Sequence, residues 1–571
     1  MKCTDYLFSN IKLAVTLIPV LSAGMAEAGH LVRQTPKTGE KLNILWLSCE
    51  DISPLLGCYG TKGIETPNID RLAREGIRYT HAYAATGVCA PSRSSIITGM
   101  YPVSLGSHNM RTSGFVFYNG IDGEQYPALR SVAGKNGQNI PAYSAVPDAQ
   151  VKCFTEYLRA AGYYCTNNAK CDYQFYPPFT AWDENNKKAD FRNRPDGMPF
   201  FSVYNHEVTH ESRIWKHADH PMLADPQDVR IPAYYPDISV VRKDLARAYS
   251  NIEELDAQIG EWLKRLEEEG LLDKTIIFFW SDHGGPLLRQ KRAVGNTGLH
   301  VPLIVRFPDK KMAGKVYDDV VSLMDLGPTV LSLAGIEPPG YMQGKAFLGA
   351  YVSAQKREAV YGNADRFDEV YDFSRSVIDG RFSYIRNFEP QLPLIYRNAY
   401  REQIEMTRTL IEMDKRGELR DGAAYIFRDT RDVEELYDLE KDPDETRNLA
   451  AEPAYRDQLL KMRKQLAAWQ LAVNDKGLID EYNLVQLFWP GLIQPVTEKV
   501  VIRESGGLIE LTCGTEGASI GYQTDDRIGS EQWMVYHGPI RLKKGQKLVA
   551  RAKRIGYQIS EATERTSKPG Q

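Results

Sequence analysis

The run Asn43-Ile44-Leu45-Trp46-Leu47 decides the fold class. Its last four residues are apolar without alternation, which is typical of a strand that is buried on both faces of a parallel sheet. Glu50-Asp51 follow the run, and Thr66 then precedes Pro67 at the predicted start of a helix. Because this order of strand, loop and helix recurs along the chain, the sequence predicts a doubly wound α/β sheet.

A second buried strand, Thr275 to Trp280, also ends beside a residue that can bind a metal ion, in Asp282-His283. In open α/β sheets, ligands bind beyond the carboxyl ends of the strands. Two such ends with carboxylates predict one shared divalent cation, Ca²⁺ by preference, bound mainly by oxygen. A single pair of this kind more often caps a helix or forms a turn. The prediction therefore depends on finding both pairs together with the stretch at Cys89.

That stretch reads Cys89-Ala90-Pro91-Ser92-Arg93, followed by Ser94 to Gly99. Pro91 suits the first turn of a helix, so Cys89 is predicted to lie at a helix N-terminus, where the helix dipole favours an anion. The same field would lower the pKa of a thiol, as reactive chemistry requires. The alternative is that Cys89 is a small buried hydrophobe, as free cysteines usually are.

Cys-x-Pro-Ser-Arg followed by Thr98-Gly99 resembles the signature of the type I sulfatases, and the resemblance extends over about residues 41–450. It implies that Cys89 is oxidised to formylglycine, whose hydrated aldehyde is the nucleophile. It also implies an alkaline-phosphatase-like α/β/α sandwich with a smaller α+β C-terminal subdomain.

The same resemblance implies one metal ion per active site, with Ca²⁺ favoured over Mg²⁺. The implied ligands are Glu50, Asp51, Asp282, His283 and an oxygen of the modified Cys89. Two of them depart from the family pattern, because the first acid is more usually Asp and a His nitrogen is an unusual partner for Ca²⁺.

Four further residues match family positions. Arg93 is expected to hold the nucleophile and the metal ligands in register, Lys170 and Lys291 to bind the sulfate, and His210 to protonate the departing alcohol. Asp172 stands where the family usually has a His after the lysine, so we expect it near the substrate and leave its role open.

Two more residues are candidates for substrate binding, and three other histidines have no expected catalytic role. His300 lies where family members vary with substrate, and Arg366 belongs to a charged loop that either contacts the sugar or is solvated. His206 is expected to be structural, and His217 and His220 receive no role.

The composition excludes several classes of protein. The 571 residues include 43% hydrophobic ones and carry a formal charge of −4, which gives no field that would attract nucleic acid. No run approaches the roughly 20 apolar residues of a membrane span. Of the cysteines, seven follow residue 28, and this odd number suggests one thiol with a separate fate, for which Cys89 is the candidate.

The chain divides into four predicted parts. Residues 1–28 resemble a secretory signal peptide, with Lys2 and Lys12 before an apolar run and Ala26-Glu27-Ala28 as the cleavage site, which implies a secreted or periplasmic protein. Residues 41–350 form the predicted catalytic domain and residues 351–480 the C-terminal subdomain. Residues 490–571 alternate in short segments and predict a small β-rich unit, similar to β-sandwiches of some glycan hydrolases.

The resemblance implies a sulfatase that hydrolyses sulfate esters of a sulfated carbohydrate and depends on a formylglycine-generating enzyme for maturation. Parts of the chain look similar to the N-sulfoglucosamine sulfohydrolase branch. One alternative is a phosphonate or phosphate ester hydrolase of the same superfamily, which relative activity on matched esters would distinguish. The other is a non-catalytic glycan-binding protein, in which Cys89 would remain an intact thiol.

Overall fold

The structure is a computed structural model that describes residues 41–112 and 132–567. The predicted signal peptide lies outside this range, as does most of a Gly-rich insertion predicted over Phe115 to Gln138. None of the helices in the described part of the chain has the length and apolar character needed to cross a membrane.

The strands and helices follow one another along the chain. The strands are β1 Asn43–Cys49, β2 Ile77–Tyr83, β3 Val132–Ala133, β4 Asn139–Ile140, β5 Tyr164–Asn168, β6 Glu184–Asn185, β7 Phe200–His206, β8 Thr275–Ser281, β9 His300–Arg306, β10 Lys315–Ser322, β11 Val360–Ala364, β12 Ser374–Ile378, β13 Phe382–Asn387, β14 Glu434–Asp438, β15 Val501–Ser505, β16 Leu508–Thr512, β17 Ser519–Thr524, β18 Met534–Val535, β19 Lys547–Lys553 and β20 Thr563–Thr566. The helices are α1 Pro67–Glu75, α2 Cys89–Thr98, α3 Pro102–Leu105, α4 Phe154–Ala160, α5 Arg213–Lys216, α6 Ser239–Glu268, α7 Asn296–Leu299, α8 Leu326–Leu333, α9 Glu405–Lys415, α10 Asp421–Ile426, α11 Arg456–Ala472 and α12 Glu481–Phe488.

Eight strands form the central sheet, in the order β10-β2-β9-β8-β1-β7-β5-β6. β1 lies at its middle and pairs in parallel with β7 on one side and β8 on the other. β9 runs antiparallel to both of its neighbours, which makes the sheet mixed. The predicted α/β class is confirmed, and the antiparallel β9 is a feature that the apolar runs did not predict.

Both faces of the central sheet are covered, because successive side chains of a strand point to opposite faces. Leu45 and Leu47 of β1 pack with the apolar faces of α1 and α6. Ile44 and Trp46 pack on the other face, with residues of α2, α4 and α8. The core is therefore a three-layer α/β/α sandwich, as predicted, and α6 contributes its apolar stripe to that core rather than to a cofactor site.

A second, antiparallel sheet consists of β11-β12-β13-β14. It contacts the segment after β2 of the central sheet, where Thr86 Oγ1 donates to the carbonyl of Asn363 at 3.0 Å. α11 packs on this sheet, and Trp469 stacks on Tyr361 with ring centroids 5.0 Å apart.

The C-terminal strands form the hairpin β15-β16 and the antiparallel sheet β18-β17-β19-β20. The two enclose a small apolar core of their own, to which β16 and β19 both contribute. Polar and aromatic contacts join them to the rest of the molecule. Lys152 Nζ donates to Gly517 O at 2.6 Å, Arg159 Nη2 to Trp533 O at 2.5 Å, and the rings of Phe179 and Trp533 lie 5.0 Å apart.

Candidate active site

The carboxyl ends of β1 and β8 bring four predicted metal ligands together. The two strands are parallel neighbours, with Cys49 opposite Ser281, so Glu50-Asp51 and Asp282-His283 leave the sheet side by side. All four residues are buried. Ser281 Oγ fixes the turns, because it accepts from Ile52 N at 2.9 Å and donates to His283 O at 2.8 Å.

Cys89 is the first residue of α2, as predicted, and its side chain is fully buried. Its Sγ lies 3.3 Å from Nε2 of His283. Burial alone would raise the pKa of this thiol, but the charges of Lys170 and Lys291 outweigh burial and lower the pKa to about 6. Cys89 therefore lies at a helix N-terminus under the charges of two buried lysines, which is the environment of a reactive cysteine.

Arg93, one turn further along α2, connects this helix with three strand ends. Its Nε donates to Asp282 Oδ2 at 2.9 Å, its Nη1 to Asn205 Oδ1 at 2.7 Å, and its Nη2 to Glu50 Oε1 at 3.4 Å. Arg93 is 3% exposed, so these contacts are made without competition from water. They fix the position of Cys89 relative to the acidic residues.

Lys170 and Lys291 each contact one residue of the acidic pair Glu50-Asp51. Lys170 Nζ donates to Glu50 Oε1 and lies 3.5 Å from Asp172 Oδ2. Lys291 Nζ donates to both oxygens of Asp51, at 2.9 and 2.8 Å, and lies 3.3 Å from Glu211 Oε1. Burial would raise the pKa of Glu50, but Lys170, His210 and Arg93 together lower that pKa to about 2.

The donor set fits a divalent cation. Oxygens of Glu50 and Asp282, together with Cys89, lie within 4.8 Å of one another, and the same holds for Asp51, Cys89 and His283. Nδ1 of His283 donates to Gly284 O at 2.9 Å, so in neutral His283 the lone pair of Nε2 points to acceptors, with Asp51 Oδ1 at 3.1 Å. Burial lowers the pKa of His283, but Asp282, Asp51 and Cys89 outweigh burial and raise it to about 10, and a bound cation would replace that proton.

His210 lies beside the acidic pair but outside its hydrogen bonds. Its Nδ1 contacts Ser212 Oγ at 2.9 Å, and its ring centroid lies 6.3 Å from that of Tyr400. The residue is half-buried, so its ring can reach a bound substrate. His206 is buried, and its Nδ1 lies 2.9 Å from Ser48 O, which is the structural environment expected for it.

The structure does not bring Arg366 or His300 into this cluster. All the nitrogens of the Arg366 guanidinium are engaged, with Glu481, with Met110 O and with Asp368 O. His300 Nε2 contacts Thr80 O at 2.7 Å, and its ring stacks on Tyr83. Arg366 itself is neither solvated nor part of this cluster, because the buried Glu481 carboxylate holds it inside the fold, whereas Glu369 of the same loop is exposed.

Several residues of the site were not found by reading the sequence. Asn205, at the end of β7, accepts from Arg93 and donates to Asn167 Oδ1 at 3.0 Å. Glu211, directly after His210, accepts from both outer nitrogens of Arg292, at 2.9 and 3.0 Å. The signal for Glu211 was its place beside a matched histidine, and the signal for Asn205 was its place after the apolar run of β7.

Asp172, whose role was left open, forms an ion pair with Arg111. Nη1 of Arg111 lies 2.8 Å from each carboxylate oxygen of Asp172. Asp172 thus joins a buried lysine to an arginine that precedes it by 61 residues in the chain. Nothing in the local sequence of Asp172 pointed to this partner.

Two family models match the chain. The sulfatase model matches residues 42–336, and the model of the C-terminal region of N-sulphoglucosamine sulphohydrolase matches residues 284–390. The first match contains the ends of β1 and β8, the Cys89 stretch and both lysines.

Whole-chain relatives agree with these models. An ulvan-active sulfatase of Formosa agariphila is 40% identical over 566 residues, which cover 92% of each chain. Human N-sulphoglucosamine sulphohydrolase is 26% identical over 76% of this chain and 90% of its own. A putative sulfatase from Bacteroides thetaiotaomicron shares the fold, with a TM-score of 0.53 and 18% identity over 76% of this chain and 93% of that one. The chain therefore belongs to the sulfatase family, the enzymes that hydrolyse sulfate esters.

Proposed function

We propose that this sulfatase hydrolyses sulfate esters of a sulfated carbohydrate, through a formylglycine made from Cys89 and one divalent cation, Ca²⁺ rather than Mg²⁺. The observation that carries this proposal is the position of Cys89. Its sulfur lies 3.3 Å from His283, among three buried carboxylates and under the charges of two buried lysines. A cysteine that only packs in the core would be surrounded by apolar side chains rather than by charged ones.

When present, the cation supplies Lewis-acid polarisation at residue 89, and formylglycine supplies a hydrated aldehyde as the nucleophile. The residues of the chain then have separate tasks. Arg93 keeps residue 89 and the carboxylates in register. Lys170 and Lys291 stabilise the negative charge of the sulfate oxygens, which increases as the ester bond breaks. His210 protonates the oxygen of the departing alcohol.

The substrate class is proposed from the relatives together with the site. One relative is named for activity on ulvan and another for N-sulphoglucosamine. We propose a sulfated polysaccharide or its oligosaccharides as the substrate of this chain. The cationic groups that line the pocket suit the binding of a sulfate group despite the net charge of −4.

The remaining proposals concern maturation, location and organisation. A formylglycine-generating enzyme would act on the Cys89 stretch, and residues 1–28 would direct the protein to the periplasm or the medium. The division into residues 41–350, 351–480 and 490–571 stands as a proposal of three units.

Sulfate release from a panel of sulfated oligosaccharides tests the proposed function. The enzyme is co-expressed with a formylglycine-generating enzyme, and the oxidation state of residue 89 is read from the mass of its peptide. We expect release that is absent in Cys89→Ala and unchanged in Cys513→Ser, which removes a thiol of the C-terminal strands.

Matched phosphate esters test the first alternative, and higher turnover of those esters would favour a phosphoryl hydrolase. An intact thiol at residue 89 in protein from its native host, with glycan binding but no hydrolysis, would favour the non-catalytic alternative.

A further inference from the structure

Arg111 is a cationic residue of the site that has no role in the proposed mechanism. Both of its bonds to Asp172 come from Nη1, and within residues 41–112 and 132–567 no acceptor bonds to its Nε or Nη2. The guanidinium also interacts electrostatically with Cys89 and Asp368. Arg111 therefore has unused donors and lies close enough to residue 89 to interact with it electrostatically.

Exposure separates Arg111 from the two lysines. The side chains of Lys170 and Lys291 are 3% and 1% exposed, whereas that of Arg111 is 21% exposed. Tyr400, which packs near His210, is 44% exposed. Since the lysines lie at the depth of the sulfate, Arg111 and Tyr400 lie nearer the mouth, at the level of the sugar that carries the sulfate.

The loop that carries Arg111 is held in place by residues deeper in the fold. Arg111 itself has a φ of 61°, which is uncommon for a residue other than glycine and persists only where its surroundings hold it. Met110 N donates to Arg366 O at 2.8 Å, and Arg366 Nη1 donates back to Met110 O at 3.0 Å. Arg366, itself held by Glu481, is thus a positioning residue for Arg111.

We propose that Arg111 binds a second anionic group of the substrate, a carboxylate or a further sulfate on the sugars next to the sulfate that is removed. A guanidinium offers two parallel donors that match the oxygens of either group. Asp172 holds one side of the guanidinium and leaves the other side to the ligand. This inference rests on the proposed function and adds a preference for acidic sugars to it.

The test compares Arg111→Gln with wild type on three substrates: the panel oligosaccharide that wild type hydrolyses fastest, the same oligosaccharide after its carboxylates are reduced, and 4-nitrophenyl sulfate. We expect Arg111→Gln to lower kcat/KM on the acidic oligosaccharide by about 10- to 100-fold, mainly through KM, as for the loss of a charged hydrogen-bonded pair. On 4-nitrophenyl sulfate, which carries no second anionic group, the loss should be clearly smaller and limited to the effect of an unpaired Asp172 beside Lys170. Arg111→Lys, which keeps the charge but not the two parallel donors, should lose less.

The controls separate this inference from its alternatives. Arg397→Gln breaks an exposed arginine–carboxylate pair, with Glu402, and should change none of the three activities. Sensitivity of wild type to carboxyl reduction identifies a carboxylate, and sensitivity only to removal of a second sulfate identifies a sulfate.

Equal losses on all three substrates would overturn the proposal and place Arg111 on the transferred sulfate. No loss on any substrate, or a fastest substrate without a second anionic group, would also overturn it. A wild type with oxidised residue 89 that releases no sulfate at all would contradict the proposed function instead.

Discussion

Nζ of Lys291 lies within hydrogen-bond distance of both carboxylate oxygens of Asp51, at 2.9 and 2.8 Å. A lysine expected to bind sulfate is thus paired with a residue expected to bind the cation. Burial would raise the pKa of Asp51, but Lys291 and His283 hold that pKa well below its usual range, so Asp51 is a carboxylate ready for a metal ion. A cation bound at this site would therefore share the Asp51 carboxylate with Lys291.

Removal of the cation should destabilise the protein as well as inactivate it. Without it, buried carboxylates have only Arg93, the lysines and His283 to balance them. A ligand at about 100 times its dissociation constant adds about 2.7 kcal/mol to the free energy of unfolding, so we expect EDTA to lower Tm by a few degrees. Refilling with Ca²⁺ should restore Tm and turnover better than Mg²⁺ does. Identical melting curves in EDTA and Ca²⁺ would argue against the site.

His210→Gln should lose activity according to the leaving group. A general acid contributes roughly 10²- to 10⁴-fold when the departing alcohol needs a proton. We expect a loss of that size on a sugar sulfate and a loss of less than about 10-fold on 4-nitrophenyl sulfate, whose phenolate leaves without protonation. His206→Gln is the matched control and should change Tm rather than this ratio. Equal losses on both substrates would contradict the assignment.

Arg93→Met should destabilise the fold strongly. The substitution keeps much of the side-chain volume but removes the guanidinium from Asp282 and leaves Glu50 with Lys170 alone, and breaking a buried ion pair costs about 3–5 kcal/mol. Chemical denaturation of the variant, measured with and without Ca²⁺, checks this value. Arg416→Met, which removes an exposed pair with Glu418, should leave the denaturation midpoint unchanged. A similarly small effect of Arg93→Met would mean that the site does not depend on this arginine.

The Arg375–Asp475 pair should make stability depend on pH. Arg375 Nε donates to Asp475 Oδ2 at 2.7 Å, and both side chains are buried. Burial would raise the pKa of Asp475, but Arg375 outweighs burial and lowers it. Because the folded pKa is below the unfolded value of about 3.9, the pair stabilises fully above that value and loses its effect as pH falls through the folded pKa.

Melting temperatures of wild type and Asp475→Asn between neutral pH and the acid limit check this expectation. The difference between them should be largest near neutral pH and should shrink in acid. A difference that does not depend on pH would show that packing, not charge, is lost in the variant.

The strand ends could be predicted from sequence because apolar runs mark β1, β7 and β8, and the polar residues that follow each run stand out. The direction of β9 could not be predicted, because a buried apolar strand has the same sequence pattern whether its neighbours are parallel or antiparallel. The pairs Asp172–Arg111 and Arg366–Glu481 join residues 61 and 115 positions apart, and only the folded chain brings them together. From its charge, Arg366 was expected either to contact the sugar or to be solvated, whereas in the folded chain it is buried against Glu481.

The C-terminal strands contact the rest of the molecule through Lys152, through Arg159 and through the packing of Phe179 on Trp533. A chain cut near residue 490 would uncover Phe179 and remove the acceptors of Lys152 and one of the three acceptors of Arg159. These contacts hold the C-terminal strands against the central-sheet region of the molecule. If these strands bind a polysaccharide, the bound chain lies at a constant distance from residue 89.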